Sequence, residues 1–216
     1  MSKSEGLRII YEDRDLIVVD KAAGMVVHPA PGYETGTLCD RLKVCYPEIA
    51  AVGSKERPGV VHRLDKETSG VIVFARNQRA YLALRRMFES HRDIEKTYLA
   101  VCHGSPHPKE GSIAEPIDGR SALSHYRTLG ARRGVSLIEF MIETGRMHQV
   151  RLHAKALGCP LLGDPLHGSR EKDLHLRRRP ARTLLHAVRI SFPHPGTGEQ
   201  MEFVAEPPPD IVHAVD

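Results

Sequence analysis

The sequence contains no tryptophan, and aromatic residues make up only 5% of its 216 residues. Its four cysteines, Cys39, Cys45, Cys102 and Cys159, include no pair with C-x-x-C spacing. That pattern argues against a disulfide framework or a thiolate metal site, and it favours four reduced, mostly buried thiols. We therefore expect an intracellular protein, located in the cytoplasm.

Several common segments and motifs are also absent. Residues 1–6 lack the apolar core of a secretory signal, and no apolar run approaches the ~20 residues that a membrane helix needs. No G-x-G-x-x-G, P-loop lysine or H-E-x-x-H pattern is present, so nucleotide-cofactor and metalloprotease functions lose their usual support. No association with a membrane is expected.

The overall composition is that of an ordinary globular protein, with 41% hydrophobic and 27% charged residues. Lys and Arg outnumber Asp and Glu by 31 to 27, a net charge of +4 that permits a nucleic-acid partner without requiring one. The length suits one sizeable domain, and no segment in the middle is typical of a linker. We predict a single domain over residues 1–216, with its core at about 7–205, and a monomer.

The pattern of apolar residues predicts alternating strands and helices. Strands are predicted at residues 7–11, 16–19, 71–75, 97–101, 122–129, 135–142, 184–192 and 201–205. Helices are predicted at 37–45, on a stripe of Tyr81, Leu84, Met87, Phe88 and His91, and at 148–157 before Gly158. Pro207–Pro209 should end the fold. Hairpins with helices between them predict an α+β fold on a mixed, largely antiparallel sheet flanked by helices and loops.

The segment from His62 to Gly70 lies between two predicted strands and contains one carboxylate flanked by cations. Asp65 follows Arg63 by two residues and precedes Lys66. If both cations also lie near it in space, they favour its ionised form, which suits a nucleophile or base better than an acid. Judged by this segment alone, Asp65 is more simply a turn aspartate that bonds to nearby backbone.

The second segment runs from Thr144 to His153. If the helix begins at Met147, then Met147 and Arg151 share one helix face, and a buried Arg151 needs an anionic partner, for which Asp65 is a candidate. A surface arginine near a helix start is at least as plausible on spacing alone. His148 and His153 are five residues apart, which is poor spacing for a shared metal, so they are interpreted as packing or hydrogen-bonding residues.

The third segment is a predicted strand around Tyr98, in which this tyrosine alternates with apolar neighbours. Its simplest interpretation is a half-buried strand residue. The functional alternative is a ring that faces a planar ligand.

Together these segments resemble the RluA family of RNA pseudouridine synthases, in order and over about residues 7–205. The matching motifs are KAAGMVVHP at 21–29, PGVVHRLDKETSG at 58–70, KTYLA at 96–100, GRMHQVRLH at 145–153, LGDP at 162–165 and LLHA at 184–187. Met147 replaces a small hydroxyl residue and His167 replaces a common tyrosine, which puts local packing or RNA contacts in doubt. Only about six residues precede Leu7, so the N-terminal S4 RNA-binding domain of larger members is expected to be absent.

The resemblance implies the pseudouridine synthase fold, conversion of uridine to pseudouridine after base flipping, and catalysis by Asp65. Arg151 would pair with Asp65 and hold it ionised. Tyr98 would stack on the uracil and take part in proton removal from C5. Arg63 would fill the space that the flipped base leaves, and Leu185 would pack against the base.

The resemblance also implies further contacts with RNA. His62, Arg146 and His148 are expected to bind substrate, while Arg85, Arg86 and the run Arg177–Arg179 are weaker phosphate candidates. The expected substrate is large-subunit rRNA, tRNA or both, and no metal or organic cofactor is implied.

Two other functions compete with this interpretation. One is a non-catalytic RNA-binding or ribosome-assembly factor, which would bind RNA without modifying it. The other is a hydrolase in which Asp65 acts with His62 or His148, which would release a free base or a cleaved product.

Overall fold

The structure, a computed structural model, describes residues 6–215. Residues 1–5, part of the stretch for which no secretory signal is predicted, and residue 216 lie outside the described residues. The strands are β1 (Arg8–Glu12), β2 (Leu16–Lys21), β3 (Gly53–Ser54), β4 (Arg57–Pro58), β5 (Ser69–Ala75), β6 (Glu95–His103), β7 (Glu110–Ile113), β8 (Ser124–Arg132), β9 (Val135–Ile142), β10 (Leu185–Pro193) and β11 (Gln200–Val204). The α-helices are α1 (Leu38–Cys45), α2 (Gln78–Ser90), α3 (Gln149–Ala156), α4 (Arg170–Leu174) and α5 (Pro209–Val212).

Local capping explains where two predicted helices begin. Thr37 precedes α1 and forms a capping box with Asp40, whose side chain accepts the Thr37 backbone N–H at 3.1 Å. Asn77 precedes α2, and its side chain accepts the backbone N–H of Ala80 at 2.9 Å. Both predicted helices are confirmed.

The predicted buried face of α2 is only partly correct. Leu84 is fully buried, but Tyr81, Met87 and Phe88 are half-buried. His91 lies beyond the helix in a left-handed conformation with φ 56°. The small residue Ala80, which is outside the predicted stripe, is buried together with Leu84.

The chain forms two compact units. Unit 1 contains residues up to 94 together with 189–205. Its strands β1, β2 and β5 pair antiparallel in that order, and all seven residues of β5 are buried. The part of β10 in this unit pairs antiparallel with β11. These pairings confirm the predicted hairpin at 7–19 and the predicted last strand pair.

Unit 2 contains residues 95–188 together with 206 onward. Strands β6, β9, β8 and β7 form an antiparallel sheet in that order. Its core is apolar at the centre, where Phe140 and Ile138 are fully buried. The predicted strand at 97–101 and the hairpin at 122–142 are confirmed.

The proline run at 207–209 does not end the fold as predicted. Pro209 opens α5, because a proline fits the first turn of a helix, where its missing N–H has no intrahelical partner. Ile211 on α5 is fully buried against Leu99 and Val101 of β6. The chain after the prolines therefore contributes to the core of unit 2.

The fold class is confirmed as α+β with a mixed, largely antiparallel sheet, while the single domain over 1–216 stays a prediction. No helix within residues 6–215 has the length and apolar character needed to cross a bilayer. All four cysteines are free thiols, and burial raises the pKa of Cys39 to about 12, as expected for an inert thiol.

Candidate active site

Asp65 lies in unit 1, on the loop that leads into β5, and is half-buried. Its backbone carbonyl accepts the N–H of Thr68 at 3.1 Å, so the segment does form a turn. The next carbonyl, that of Lys66, accepts the backbone N–H of Gly24 at 2.8 Å. The KAAG segment and the Asp65 loop, two of the matching motifs, are thus joined through backbone groups.

A buried lysine strengthens this junction. The ammonium of Lys21, at the end of β2, donates to the carbonyls of Ala22, Met25 and Lys66 at 2.9, 3.0 and 3.1 Å. Lys21 is only 1% exposed, and these three bonds engage all the donors of an ammonium. Sequence reasoning quoted Lys21 within a motif but assigned it no role, although a lysine that ends a buried strand is itself a signal.

The cations beside Asp65 in sequence have their own surroundings. The Lys66 ammonium bonds the Tyr33 hydroxyl at 2.9 Å and lies 4.7 Å from the centre of that ring. It also lies 3.8 Å from the carboxylate of Glu67. Arg63 is exposed. The predicted effect of these two charges on the ionisation of Asp65 stays a prediction.

His62 fastens the start of the same loop. Its Nε2 accepts the backbone N–H of Val73 on β5 at 2.9 Å, and its ring stacks on Phe88 of α2 at 4.3 Å between centres. An accepting Nε2 places the proton of a neutral ring on Nδ1. This contact positions the loop, and the predicted contact of His62 with substrate stays a prediction.

In unit 2, Arg151 forms a buried bidentate ion pair with Asp164. Nε and Nη2 of the guanidinium lie 2.7 and 2.6 Å from the two carboxylate oxygens, and the side chains are 7% and 0% exposed. Burial raises the pKa of Asp164, but the hydrogen bonds from Arg151 and from two backbone N–H groups outweigh it and hold this pKa below its usual value. Sequence reasoning placed Asp164 only in a turn. The pairing of Arg151 with Asp65 stays a prediction.

The helix that carries Arg151 begins later than predicted. Helix α3 starts at Gln149, because His148 adopts a left-handed conformation with φ 56°. Met147 lies outside the helix and is 61% exposed. The prediction that Met147 and Arg151 share a helix face is therefore wrong.

Gln149 locks the loop before α3. Its side-chain oxygen accepts the Thr144 hydroxyl at 2.7 Å and the Arg146 backbone N–H at 3.0 Å. Its amide nitrogen donates to the Leu123 carbonyl and to the Ser124 hydroxyl, both at 3.0 Å. Gln149 is only 3% exposed, and all four of these hydrogen bonds are made within the protein. Sequence reasoning missed this anchor.

The histidines of the same motif bond to protein groups, as expected for packing or hydrogen-bonding residues. His148 Nδ1 lies 2.9 Å from Nε2 of His167. His153 is fully buried between the Ser124 hydroxyl at 2.8 Å and the Glu115 carbonyl at 2.9 Å. Burial lowers the pKa of His167, and the nearby charge of Asp164 opposes this shift.

Tyr98 and Leu185 lie at the same hydrophobic cluster of unit 2. Tyr98 is half-buried on β6, paired with Phe140 of β9, and packs against the core cluster that contains Leu185. Leu185 is 4% exposed. The two residues that the resemblance places around the base therefore lie at the same apolar cluster.

A second buried lysine lies two residues before Tyr98. Lys96 is 6% exposed, and its ammonium donates to the Thr144 carbonyl at 3.2 Å. Burial, together with the neighbouring charge of Arg146, lowers the pKa of Lys96 to about 8. Arg146 donates through Nε to the Ser121 carbonyl at 3.0 Å. Two cations thus lie beside the loop that sequence reasoning assigned to substrate.

A possible metal-ligand cluster occurs in unit 1 at Asp13, Asp15 and His194. Its members already bond one another and the backbone: His194 Nε2 lies 2.8 Å from Asp13, and its Nδ1 accepts the N–H groups of Gly196 and Thr197. Asp15 accepts from Asn77 and Arg79. These hydrogen bonds connect neighbouring turns, and they account for the cluster without a metal ion.

The chain is similar to known proteins of one family. A family model described as RNA pseudouridylate synthase matches residues 15–156, a range that contains Asp65, Tyr98 and Arg151. YlyB of Bacillus subtilis, named an RNA pseudouridine synthase, is 38% identical over 97% of this chain and 72% of its own length. An RNA pseudouridine synthase of Chloroflexus aurantiacus is 43% identical over 89% of this chain and 63% of its own length.

A third relative is named for its substrate. Ribosomal large subunit pseudouridine synthase D of Zymomonas mobilis is 40% identical over 95% of this chain and 70% of its own length. The chain thus spans 63–72% of the length of these three curated relatives. Among solved structures, human RNA Pseudouridylate Synthase Domain Containing 4 superposes with a TM-score of 0.76 at 25% identity, covering 96% of this chain and 91% of that one.

Proposed function

We propose, from the membership of this chain in the RNA pseudouridylate synthase family, that it isomerises specific uridines in structured RNA. The chain is an RNA pseudouridine synthase, and Asp65 is the proposed catalytic carboxylate. The observation that carries the proposal is the family match itself, which includes Asp65, Tyr98 and Arg151 in motif order. No step of the proposal calls for a metal or an organic cofactor.

The proposed role of Asp65 is to enable cleavage of the glycosidic bond. An aspartate performs this best when ionised and held still, because a fixed carboxylate needs little reorganisation as the bond breaks. The anchoring of its loop by Lys21, Gly24 and His62 supports a fixed position. The uracil then turns and rejoins the ribose through C5, so the RNA gains and loses no atoms.

Arg151 and Tyr98 complete the proposed catalytic set. Arg151 would hold Asp65 ionised, and its bidentate pair with Asp164 supports a guanidinium fixed in one orientation. Tyr98 would stack on the flipped uracil and take part in removal of the C5 proton. Leu185, which packs in the same cluster as Tyr98, would contact the base.

The remaining proposed contacts are with the RNA strand. Arg63 is exposed and would fill the space that the flipped base leaves. Arg146 and His148, on the loop that Gln149 anchors, and His62 would contact the substrate. The exposed run Arg177–Arg179 and the arginines Arg85 and Arg86 would contact phosphates, which position RNA without reading its sequence.

We propose large-subunit rRNA, tRNA or both as the substrate class, and a monomer acting in the cytoplasm. The name of the Zymomonas mobilis relative supports an rRNA target. Mapping pseudouridines in total RNA from cells with and without the gene tests the substrate: sites lost without the gene identify it. Unchanged maps would contradict the proposal.

Product analysis tests the reaction. The purified protein, with no added cofactor, should convert uridine to pseudouridine at unchanged RNA mass. A hydrolase would instead release free base or shorter RNA, and a non-catalytic RNA-binding factor would leave every uridine as it was. Either of those results would overturn the proposed function.

A further inference from the structure

A groove in unit 1 is lined by arginines that the catalytic proposal does not fully use. It has a volume of about 500 Å³ and lies between the β3–β4 hairpin, residues 60–63 and α2. Arg57 projects from the hairpin side, Arg63 from the loop and Arg85 from the helix. Only Arg63 has a role carried over from the family motif.

The groove carries a net positive charge. Three arginines line it against one glutamate, Glu56. Arg57 and Arg63 form no ion pair with a carboxylate among residues 6–215, while Arg85 pairs with Glu89 on its own helix. Unpaired guanidinium groups that share a concave surface attract a phosphate, which they can bind in bidentate fashion.

His28 lies in the same groove as Arg57 and Arg63. It is 6% exposed, lines the groove, and its Nδ1 lies 2.9 Å from the Pro29 carbonyl. Burial lowers the pKa of His28, and the charges of Arg57 and Arg63 lower it further. His28, Arg57 and Arg63 thus line one groove, and the lowered pKa favours the neutral form of His28.

The groove is held in shape before any ligand binds. The backbone N–H of Gly53 donates to the Gln78 side chain at 2.9 Å, which ties the hairpin to α2. Gly53 has φ +76°, and a Cβ there would lie 2.6 Å from the ring of Tyr81, so the hairpin packs directly on that ring. The guanidinium of Arg85 lies 5.9 Å from the centre of the same ring.

The surroundings of Tyr81 favour backbone over base recognition. Gly53 packs on its ring and Arg85 lies over it, so the ring is already engaged and is a poor platform for a stacked base. Three guanidinium groups line the groove, and such groups suit phosphates. Positively charged grooves that follow the backbone are typical of single-strand binding.

We propose that this groove binds the phosphodiester backbone of a single-stranded stretch of the RNA substrate, with Arg57 and Arg85 as contacts in addition to Arg63. The proposal rests on the proposed function, in which the target base leaves the stack while the enzyme binds the rest of the strand. Contacts of this kind add affinity without sequence preference.

Fluorescence anisotropy with labelled poly(U) tests the proposal over a range of salt concentrations. The double variant Arg57→Gln/Arg85→Gln should bind about 10-fold more weakly at about 0.1 M salt, and its log–log salt slope should fall by about 1.4, since each lost phosphate contact to a single strand removes about 0.7. Arg41→Gln is the matched control, because Arg41 is an exposed arginine of unit 1 on α1, outside the groove. It should bind as the wild type does. Thermal melts by circular dichroism should show all three proteins folded.

A salt slope equal to that of the wild type, or an equal loss in Arg41→Gln, would overturn the groove proposal. Binding is measured without turnover, so it is separable from the proposed function. A wild-type protein that forms no pseudouridine but binds poly(U) through this groove contradicts the function and leaves the groove in place.

Discussion

The loop of Asp65 in unit 1 and the start of the helix that carries Arg151 in unit 2 are anchored by different chemistry. In unit 1 the buried ammonium of Lys21 donates to three backbone carbonyls, of which that of Lys66 lies on the Asp65 loop and those of Ala22 and Met25 lie on the segment after β2. Unit 2 uses side chains, with Arg151 paired to Asp164 and the preceding loop bonded to Gln149. The carbonyl contacts in unit 1 converge on one ammonium, whereas unit 2 uses two separate side-chain contacts, the Arg151–Asp164 pair and the bonds of Gln149.

The two buried lysines sharpen this contrast. Lys21 satisfies its ammonium with three carbonyls, whereas Lys96 donates to one carbonyl at 3.2 Å and has Arg146 as its charged neighbour. An ammonium that lacks such partners is costly to bury in charged form. Lys96 accordingly has a pKa lowered to about 8.

The largest expected effect is in the ion pair of unit 2. Asp164→Asn keeps the shape of the side chain but leaves the Arg151 charge, 7% exposed, without this carboxylate. We expect the free energy of unfolding to fall by about 3–5 kcal/mol, measured by urea denaturation. Because its folded pKa is lowered, the stability from Asp164 is present at neutral pH and is lost as pH falls below about 4.

Asp173→Asn is the control for this prediction. Asp173 accepts from His103 and from the Gly163 N–H in the same unit, but its side chain is 16% exposed. Its loss should cost about 1 kcal/mol. Equal losses in the two variants would contradict a special contribution of the Arg151–Asp164 pair.

The next largest effect is expected at Gln149. Gln149→Leu removes four hydrogen bonds and leaves buried groups of Thr144 and Ser124 without them. We expect a loss of about 2–3 kcal/mol in the free energy of unfolding. Met147→Leu, in the exposed part of the same loop, should stay within about 0.5 kcal/mol of the wild type. If the two variants melt alike, Gln149 is not the anchor.

In unit 1, Lys21→Met removes three hydrogen bonds, one of which reaches the Asp65 loop at the Lys66 carbonyl. We expect a loss of about 2 kcal/mol, together with slower pseudouridine formation at saturating RNA, because the Lys66 carbonyl next to Asp65 loses a donor. Lys55→Met, at the exposed tip of the β3–β4 hairpin, should change neither quantity. A variant as fast as the wild type would show that Lys21 serves stability alone.

The smallest effect within one pH unit is expected at Lys96. The folded protein releases this proton near pH 8 and the unfolded chain near 10.5, so the unfolded state binds more protons between these values. Stability relative to Lys96→Met should therefore rise between pH 8 and 10.5, by at most about 1.4 kcal/mol per pH unit. Parallel stability curves for the two proteins would contradict the lowered pKa.

Sequence periodicity predicted eight of the strands and the three longer helices because their apolar spacing is regular, and it missed the short strands β3, β4 and β7. It failed where local backbone geometry decides the outcome, as at His148, whose left-handed conformation delays α3, and at Pro209, which opens a helix instead of ending the fold. The motif residues Asp65, Tyr98 and Arg151 were identified by their chemical type and order. Their anchors were missed because Lys21 and Asp164 act through partners that are distant in sequence or hidden in a turn.

Catalysis by Asp65 is the central claim, and tritium release from RNA labelled at uridine C5 tests it most directly. The wild-type protein should release tritium without an added cofactor, and Asp65→Asn should bind the same RNA but release tritium on the order of 10³-fold more slowly or not at all. Release by Asp65→Asn at the wild-type rate would contradict the assignment.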